Sequence, residues 1–495
     1  MFEAAELGRS VSKQSYKEQL PDLRAQLLEA QDELRGRNIP VVVIIAGVDG
    51  AGKGETVNRL HEWLDPRGLE AAAFGTPSDE ERERPRWWRF WRALPPRGKI
   101  GLLFGSWYTM PIIRRVYGET KNAQLDDEMA RIANVEQMLV RDGALILKFW
   151  FHLSKKAQKK RLTKLESHPD TRWRVSATDW KHFNLYDKFA KVSERAIRRT
   201  DTGEAPWILV EAEDPSYREL FVGRTLLEAI RGRLNGGLAH IAPPASPHPV
   251  PPTDPKASLT ILDHVDLKQK IGNKRTYERE LIHWQGELNR LTRRANAAGR
   301  STVVVFEGWD AAGKGGNIRR MIAAMDARVY RIIQIAAPTD EERAQHYLWR
   351  FWRHLPRAGR VTVYDRSWYG RVLVERVEGF AQPDEWMRAY NEINDFEEQL
   401  TEHGIILNKF WLHIDPNEQL RRFKEREEIP YKQYKITDED WRNRERWPQY
   451  AEAVNEMVAR TSTEFAPWSL IPANDKKFAR IEVLKTVCRR LDEAL

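Results

Sequence analysis

Val303-Val304-Val305-Phe306-Glu307-Gly308-Trp309-Asp310-Ala311-Ala312-Gly313-Lys314-Gly315 decides the reading of this chain. A β-branched run closes on a glycine, a short turn follows, and a helix opens at Gly313 or Lys314 and reads through Met325. Gly308, Gly313 and Gly315 let backbone N–H groups turn toward an anion, the following helix directs its positive end at the same point, and Lys314 adds a charge. In the common form of this loop a hydroxyl after the lysine ligates magnesium. Gly315 stands there instead, so Asp310 is the expected ligand of the metal or of metal-bound water.

The loop occurs twice. Gly47-Val48-Asp49-Gly50-Ala51-Gly52-Lys53-Gly54 follows the run Val41 to Ile45, and Gly47 lies 261 positions before Gly308. The same offset pairs Tyr16 with Tyr277, Pro77 with Pro338, Ser106 with Ser367, Lys148 with Lys409, Trp180 with Trp441 and Trp207 with Trp468. A period this long is a duplicated domain, not a solenoid unit. The expected division is a first domain over 1–234, a proline-rich linker over 235–258 and a second domain over 259–495, each domain large enough for its own core.

Net charge of +9 over 495 residues points to polyanionic ligands, with nucleic acid, acidic membrane and polyphosphate all open on charge alone. Cys488 is the only cysteine, so no intrachain disulfide can form. The N-terminus lacks a signal pattern and no apolar run is long enough to span a bilayer, so a cytoplasmic protein without membrane association is expected.

In the second half, Ser301 to Phe306 and Val361 to Tyr364 read as strands, Trp386, Tyr390, Ile393, Phe396 and Leu400 mark a helix between Pro383 and Gly404, and strands follow at Ile405 to Leu407 and Phe410 to Ile414 before a basic helix from Pro416. This alternation predicts an α/β fold with a mainly parallel sheet flanked by helices, and the glycine loop at its carboxyl edge.

Tyr364-Asp365-Arg366-Ser367-Trp368-Tyr369 separates the two copies. Asp365 at a strand end suits magnesium, and Arg366 suits phosphate oxygens. The first half has Phe104 for Asp365, Gly105 for Arg366, Met110 for Arg371 and Ser154 for Asp415, so it keeps an anion loop with Asp49 and Lys53 but is expected to be catalytically silent.

The loop from Gly308 to Gly315 with Gly316-Asn317-Ile318-Arg319-Arg320, the stretch Asp365 to Arg371 with Glu375-Arg376-Val377, and Lys409 to Ile414 together resemble the second family of polyphosphate kinases in its fused two-domain form. The resemblance implies tandem thymidylate-kinase-like P-loop domains with a helical lid over Arg421 to Trp447. It implies magnesium, inorganic polyphosphate and a nucleotide as ligands, and ADP formation from AMP. In that reading Asp310 and Asp365 hold metal, and Lys314 holds the transferring group. Arg366 and Arg371 clamp phosphate oxygens, and Glu375 steadies an arginine. Gly308, Gly313, Gly315, Asn317, Lys432 and Lys435 complete the phosphate contacts.

Three readings stay open at this point: AMP phosphorylation from polyphosphate, phosphorylation of nucleoside diphosphates or the reverse reaction, and a non-enzymatic polyanion-binding protein. An ATP-dependent small-molecule kinase is separated from the first by its donor. Two metal-binding carboxylates argue against simple anchoring, and nucleic acid is not expected as a partner. A homo-oligomer, or a first domain that stands in for a partner subunit, is the expected assembly. The basic segment from Arg421 to Arg446 reads equally as a ligand surface or as a solvated helix. The Trp349-Arg350-Phe351-Trp352-Arg353 run reads as core aromatics with arginines that reach the ligand channel. His346, His354, His403 and His413 have no metal-ligand spacing.

Overall fold

The computed structural model describes residues 1–236, 260–430 and 436–495. The linker prediction therefore falls, apart from Asn235 and Gly236, outside the described residues, as do Lys432 and Lys435. The chain forms two compact units, each carrying one sheet.

The first sheet contains β1 (Val41–Gly47), β2 (Leu69–Ala73), β3 (Ile100–Phe104), β4 (Leu145–His152) and β5 (Trp207–Glu211), in the order β2-β3-β1-β4-β5. The second contains β6 (Thr302–Gly308), β7 (Tyr330–Gln334), β8 (Val361–Asp365), β9 (Ile406–His413) and β10 (Trp468–Pro472), in the order β10-β9-β6-β8-β7. Every pairing is parallel, as strand-helix alternation requires. Each strand of the second sheet begins and ends at the 261-residue offset from its counterpart. The ladder Val41↔Ile100 becomes Thr302↔Val361.

The central strands are buried on both faces and read as continuous apolar runs for that reason. Helices Lys274–Ala297, Lys314–Ile322 and Lys476–Ala494 pack together beside the second sheet, and Pro383–Glu402 packs on β9 and on Trp447–Thr461. Pro383–Glu402 buries Tyr390, Ile393, Phe396 and Leu400, as its period predicts, and Ala389 with them, while Trp386 is only half-buried; the helix starts with a capping box between Gln382 and Glu385.

Two predicted boundaries change. The helix after the glycine loop ends at Ile322 and not at Met325, because Ala323 caps it by donating its N–H to Arg319 and Met321 carbonyls. The two predicted segments around Asn408-Lys409 are one strand, β9. Its polar interruption is tolerated because Lys409 Nζ, buried, donates to Glu397 Oε2 at 2.6 Å, to the Tyr369 hydroxyl at 2.8 Å and to the Thr461 carbonyl at 2.8 Å. Burial pushes Glu397 up and Lys409 down, each toward its neutral form, so the pair depends on this geometry. Lys148 and Glu136 repeat it in the first unit.

Candidate active site

The glycine loop leaves β6 at Gly308, whose φ is 148° and where a Cβ would lie 2.6 Å from the Leu412 carbonyl oxygen of the adjacent strand. Only glycine fits that approach. Lys314 starts the next helix and donates from Nζ to the carbonyls of Gly308 at 2.7 Å and Trp309 at 3.4 Å. Asp310 inside the loop accepts from Arg366 Nη2 at 3.2 Å and from Asn443 Nδ2 at 2.9 Å. Burial raises its affinity for a proton, but Lys314, Arg366 and Asn443 outweigh burial and hold the carboxyl below its ordinary range. It is an anion at neutral pH.

Asp365 ends β8 and sits opposite Phe306 and Gln334 in the two flanking ladders. Among the described residues its carboxylate makes no hydrogen bond or ion pair. Arg366 follows with φ of 64°, and Ala311 in the loop has φ of 63°. Side chains in this left-handed region carry about 1–3 kcal/mol of strain each, and such residues gather at functional sites. The counterparts in the first half are Gly105, φ 72°, and Gly50, φ 80°. The second unit keeps the strain and the side chains; the first has neither.

Asp310, Lys314, Gly313, Gly315, Asn317, Asp365, Arg366 and Glu375 converge on one cavity of about 1360 Å³. Gly308 lies on a smaller adjoining space of about 70 Å³, with Glu307, Trp309 and Asn443. Arg371 does not line the cavity. Its guanidinium pairs with Glu375 at 3.2 Å and lies 4.6 Å above the Tyr347 ring. Trp349, Phe351 and Trp352 are buried and Arg350 lines the cavity, as the aromatic run predicts, but Arg353 does not line it and lies 4.6 Å over the Trp349 ring instead.

The basic segment splits by role. Arg426 and Arg442 reach the cavity. Arg422 borders the cavity too but is a fastener: it is buried and donates to the carbonyls of Ala311, Ala312, Ala473 and Asn474. Arg421 pairs with Glu418, and Arg446 with Glu378. Asp415 is corrected too. It caps the helix Pro416–Glu428 by accepting from the Glu418 N–H at 2.8 Å, and it binds Asn474. Ser154 makes the same cap in the first half, so that replacement removes no metal ligand.

Arg319, Arg320, Lys476 and Arg480 also line the cavity. The first two belong to the motif that carries the resemblance; the last two lie outside every motif in the sequence. His413, given no role from sequence, accepts a hydrogen bond from Trp309 Nε1 at 3.0 Å, and burial pushes its pKa down to about 4. It supports the loop as a neutral ring. Asp440 beside the cavity is raised by burial and by Asp310.

Among the described residues no group of three or more His, Cys, Asp or Glu side chains is arranged to hold a metal ion. Asp310 and Asp365 form an all-oxygen pair, which suits a hard cation that takes its remaining ligands from phosphate and water.

The family model for polyphosphate kinase 2 matches residues 10–235 and again 271–495. The chain belongs to the polyphosphate kinase 2 family. Both sheets thus have the P-loop kinase-like fold expected from sequence. The chain is 52% identical over 495 residues to a polyphosphate:AMP phosphotransferase of Pseudomonas aeruginosa, with 100% of this chain and 99% of that protein covered. It is 51% identical over 496 residues to one of Pseudomonas syringae pv. tomato, with 100% and 99% covered. A crystal structure of a polyphosphate kinase 2 from Pseudomonas aeruginosa superposes with a TM-score of 0.88 at 51% identity, and covers 100% of this chain and 99% of that one. Kinases of this family's kind generally need a divalent metal. No helix among the described residues is long and apolar enough to cross a membrane.

Proposed function

We propose that the second half, residues 259–495, transfers the terminal phosphoryl group of inorganic polyphosphate to AMP and forms ADP. The observation that carries this reading is the single cavity in which Lys314, Asp310 and Asp365 meet arginines from six separate segments. A polyanionic donor and an anionic acceptor both need such a lining.

A phosphate oxygen of AMP forms the new P–O bond, the bond from the terminal phosphorus to the rest of the chain breaks, and the polyphosphate leaves one unit shorter. The attacking oxygen is already ionised at neutral pH, so no general base is required. Positioning and charge neutralisation supply the rate. Lys314 and the loop amides hold the group in transit. Arg366 and the arginines at 319, 320 and 480 take up charge on the phosphates. Asp310 and Asp365 are the residues that would hold magnesium, which when bound neutralises phosphate charge and aligns donor with acceptor. The Arg371–Glu375 pair supports a positioning role for Glu375. Asn443 brings the segment after residue 436 onto Asp310, a contact suited to closing the site against water.

Cys488 is the one cysteine, so the chain forms no intrachain disulfide, which supports a reducing, cytoplasmic setting. The first half has no carboxylate or arginine at the end of β3, which supports its silence. The test is ADP formation from AMP, polyphosphate and magnesium without ATP. Loss of activity in Asp365→Asn but not in Lys53→Ala is expected. ADP formation that requires ATP would overturn the donor assignment.

A further inference from the structure

The first unit contains a cavity of about 270 Å³ beside its glycine loop, lined largely by apolar side chains including Phe2, Phe74, Phe104 and Tyr186. In the second unit the corresponding space is largely filled. Trp309 stands at the position of Val48 and Trp447 at that of Tyr186, and their rings stack with centroids 3.6 Å apart. Glu307 replaces Ala46.

The same exchange leaves polar atoms without partners. Trp150 Nε1, His152 Nδ1, Gln158 Oε1 and Ser193 Oγ line the cavity on side chains 7%, 2%, 2% and 1% exposed, and none has a hydrogen-bond partner among the described residues. Their counterparts in the second unit are satisfied or absent. His413 Nδ1 accepts from Trp309 and Trp411, Gln419 Oε1 accepts from Arg444, and Val454 replaces Ser193. Buried polar groups are rarely left unpaired, because each costs the full loss of its hydration. Four around one cavity mark a site for a partner that carries both donors and acceptors.

We infer that this cavity binds a neutral, purine-sized heteroaromatic ring, with adenine as its simplest form. An apolar cavity of about 150 Å³ takes one benzene ring, so this one has room for two fused rings. The aromatic walls suit a flat body. The Trp150 and Ser193 donors and the Gln158 acceptor suit a ring edge that alternates acceptor and donor. Phosphates are not favoured, because no arginine lines the cavity. Its lysine, Lys53, lies 3.7 Å from Asp49, and Asp49 is held 2.7 Å from His182. The ring site is therefore distinct in chemistry from the arginine-lined cavity of the second half.

The test is calorimetric titration of the full chain with adenine, with indole as an apolar ring of matched size. One adenine per chain is expected that Val48→Trp abolishes and Ser193→Val weakens about tenfold, roughly one hydrogen bond. Indole is expected to bind more weakly than adenine. Circular dichroism and retained ADP formation show that the variants fold; if Val48→Trp does not, Tyr186→Trp fills the same space. No adenine binding, adenine binding untouched by both filling variants, or indole binding tighter than adenine would each overturn the inference, the first leaving a cavity occupied only by water.

Discussion

Arg366 Nη2 lies 3.2 Å from Asp310 Oδ1, and the same arginine holds its backbone in the left-handed region at φ 64°. The contact joins the end of β8 to the glycine loop, and the strain marks the position as one where the side chain matters more than local comfort. Gly105 shows what the backbone prefers there.

Arg366→Gly should therefore separate stability from activity. ADP formation should fall about a hundredfold or more, the scale for removing a group that meets developing charge, while the thermal midpoint stays level or rises as the strain is released. Steady-state assays and a melting curve on the same preparation check both. Activity within a few-fold of the original would end the clamp assignment.

Asp365→Asn keeps the shape of the strand end but removes the charge. The expected result is a large loss of turnover together with a higher magnesium requirement, measured by titrating the metal at fixed AMP and polyphosphate. A loss that magnesium leaves unaffected would place Asp365 outside the metal's reach.

Glu307 is buried, and burial raises its pKa despite the Ser367 hydroxyl 2.8 Å away. A raised acid contributes stability that is fully present below the ordinary glutamate pKa and is lost as pH rises through the shifted value. Glu307→Gln should thus melt near the original protein at about pH 4.5 and above it at pH 8. Equal midpoints at both values would mean that Glu307 is not destabilised by its surroundings.

Lys409→Met removes one member of a buried ion pair and strands Glu397. A cost of about 3–5 kcal/mol is expected, with much of it recovered in the double variant Glu397→Gln, Lys409→Met. Urea denaturation of the original protein, the two single variants Lys409→Met and Glu397→Gln, and the double variant reads the coupling directly.

Much of this was legible in the residues. The strand runs, the glycine loop and the constant offset led to two parallel sheets, and Asp310, Lys314, Asp365 and Arg366 do meet. Lys476 and Arg480 escaped because they lie far along the chain in a helix whose charges look like an ordinary solvated face. The signal was present: Pro215 and Glu219 occupy those positions in the first half, so the comparison that exposed Asp365 would have exposed them too. The roles of Asp415 and Arg422 were not legible, because a cap and a fastener use the same residue types as a ligand site. Only the geometry, an acceptor aimed at Glu418 N–H and four carbonyls around one guanidinium, tells them apart.

The shared register of the ten strands gives every position in one sheet an aligned twin in the same polypeptide. Each chain is in that sense its own control: the residue at a twin position has already been accommodated by nearly the same backbone, in the same solvent and at equal stoichiometry. Exchanging residues between the two copies can then ask which differences belong to chemistry and which to packing, with no second protein needed for reference.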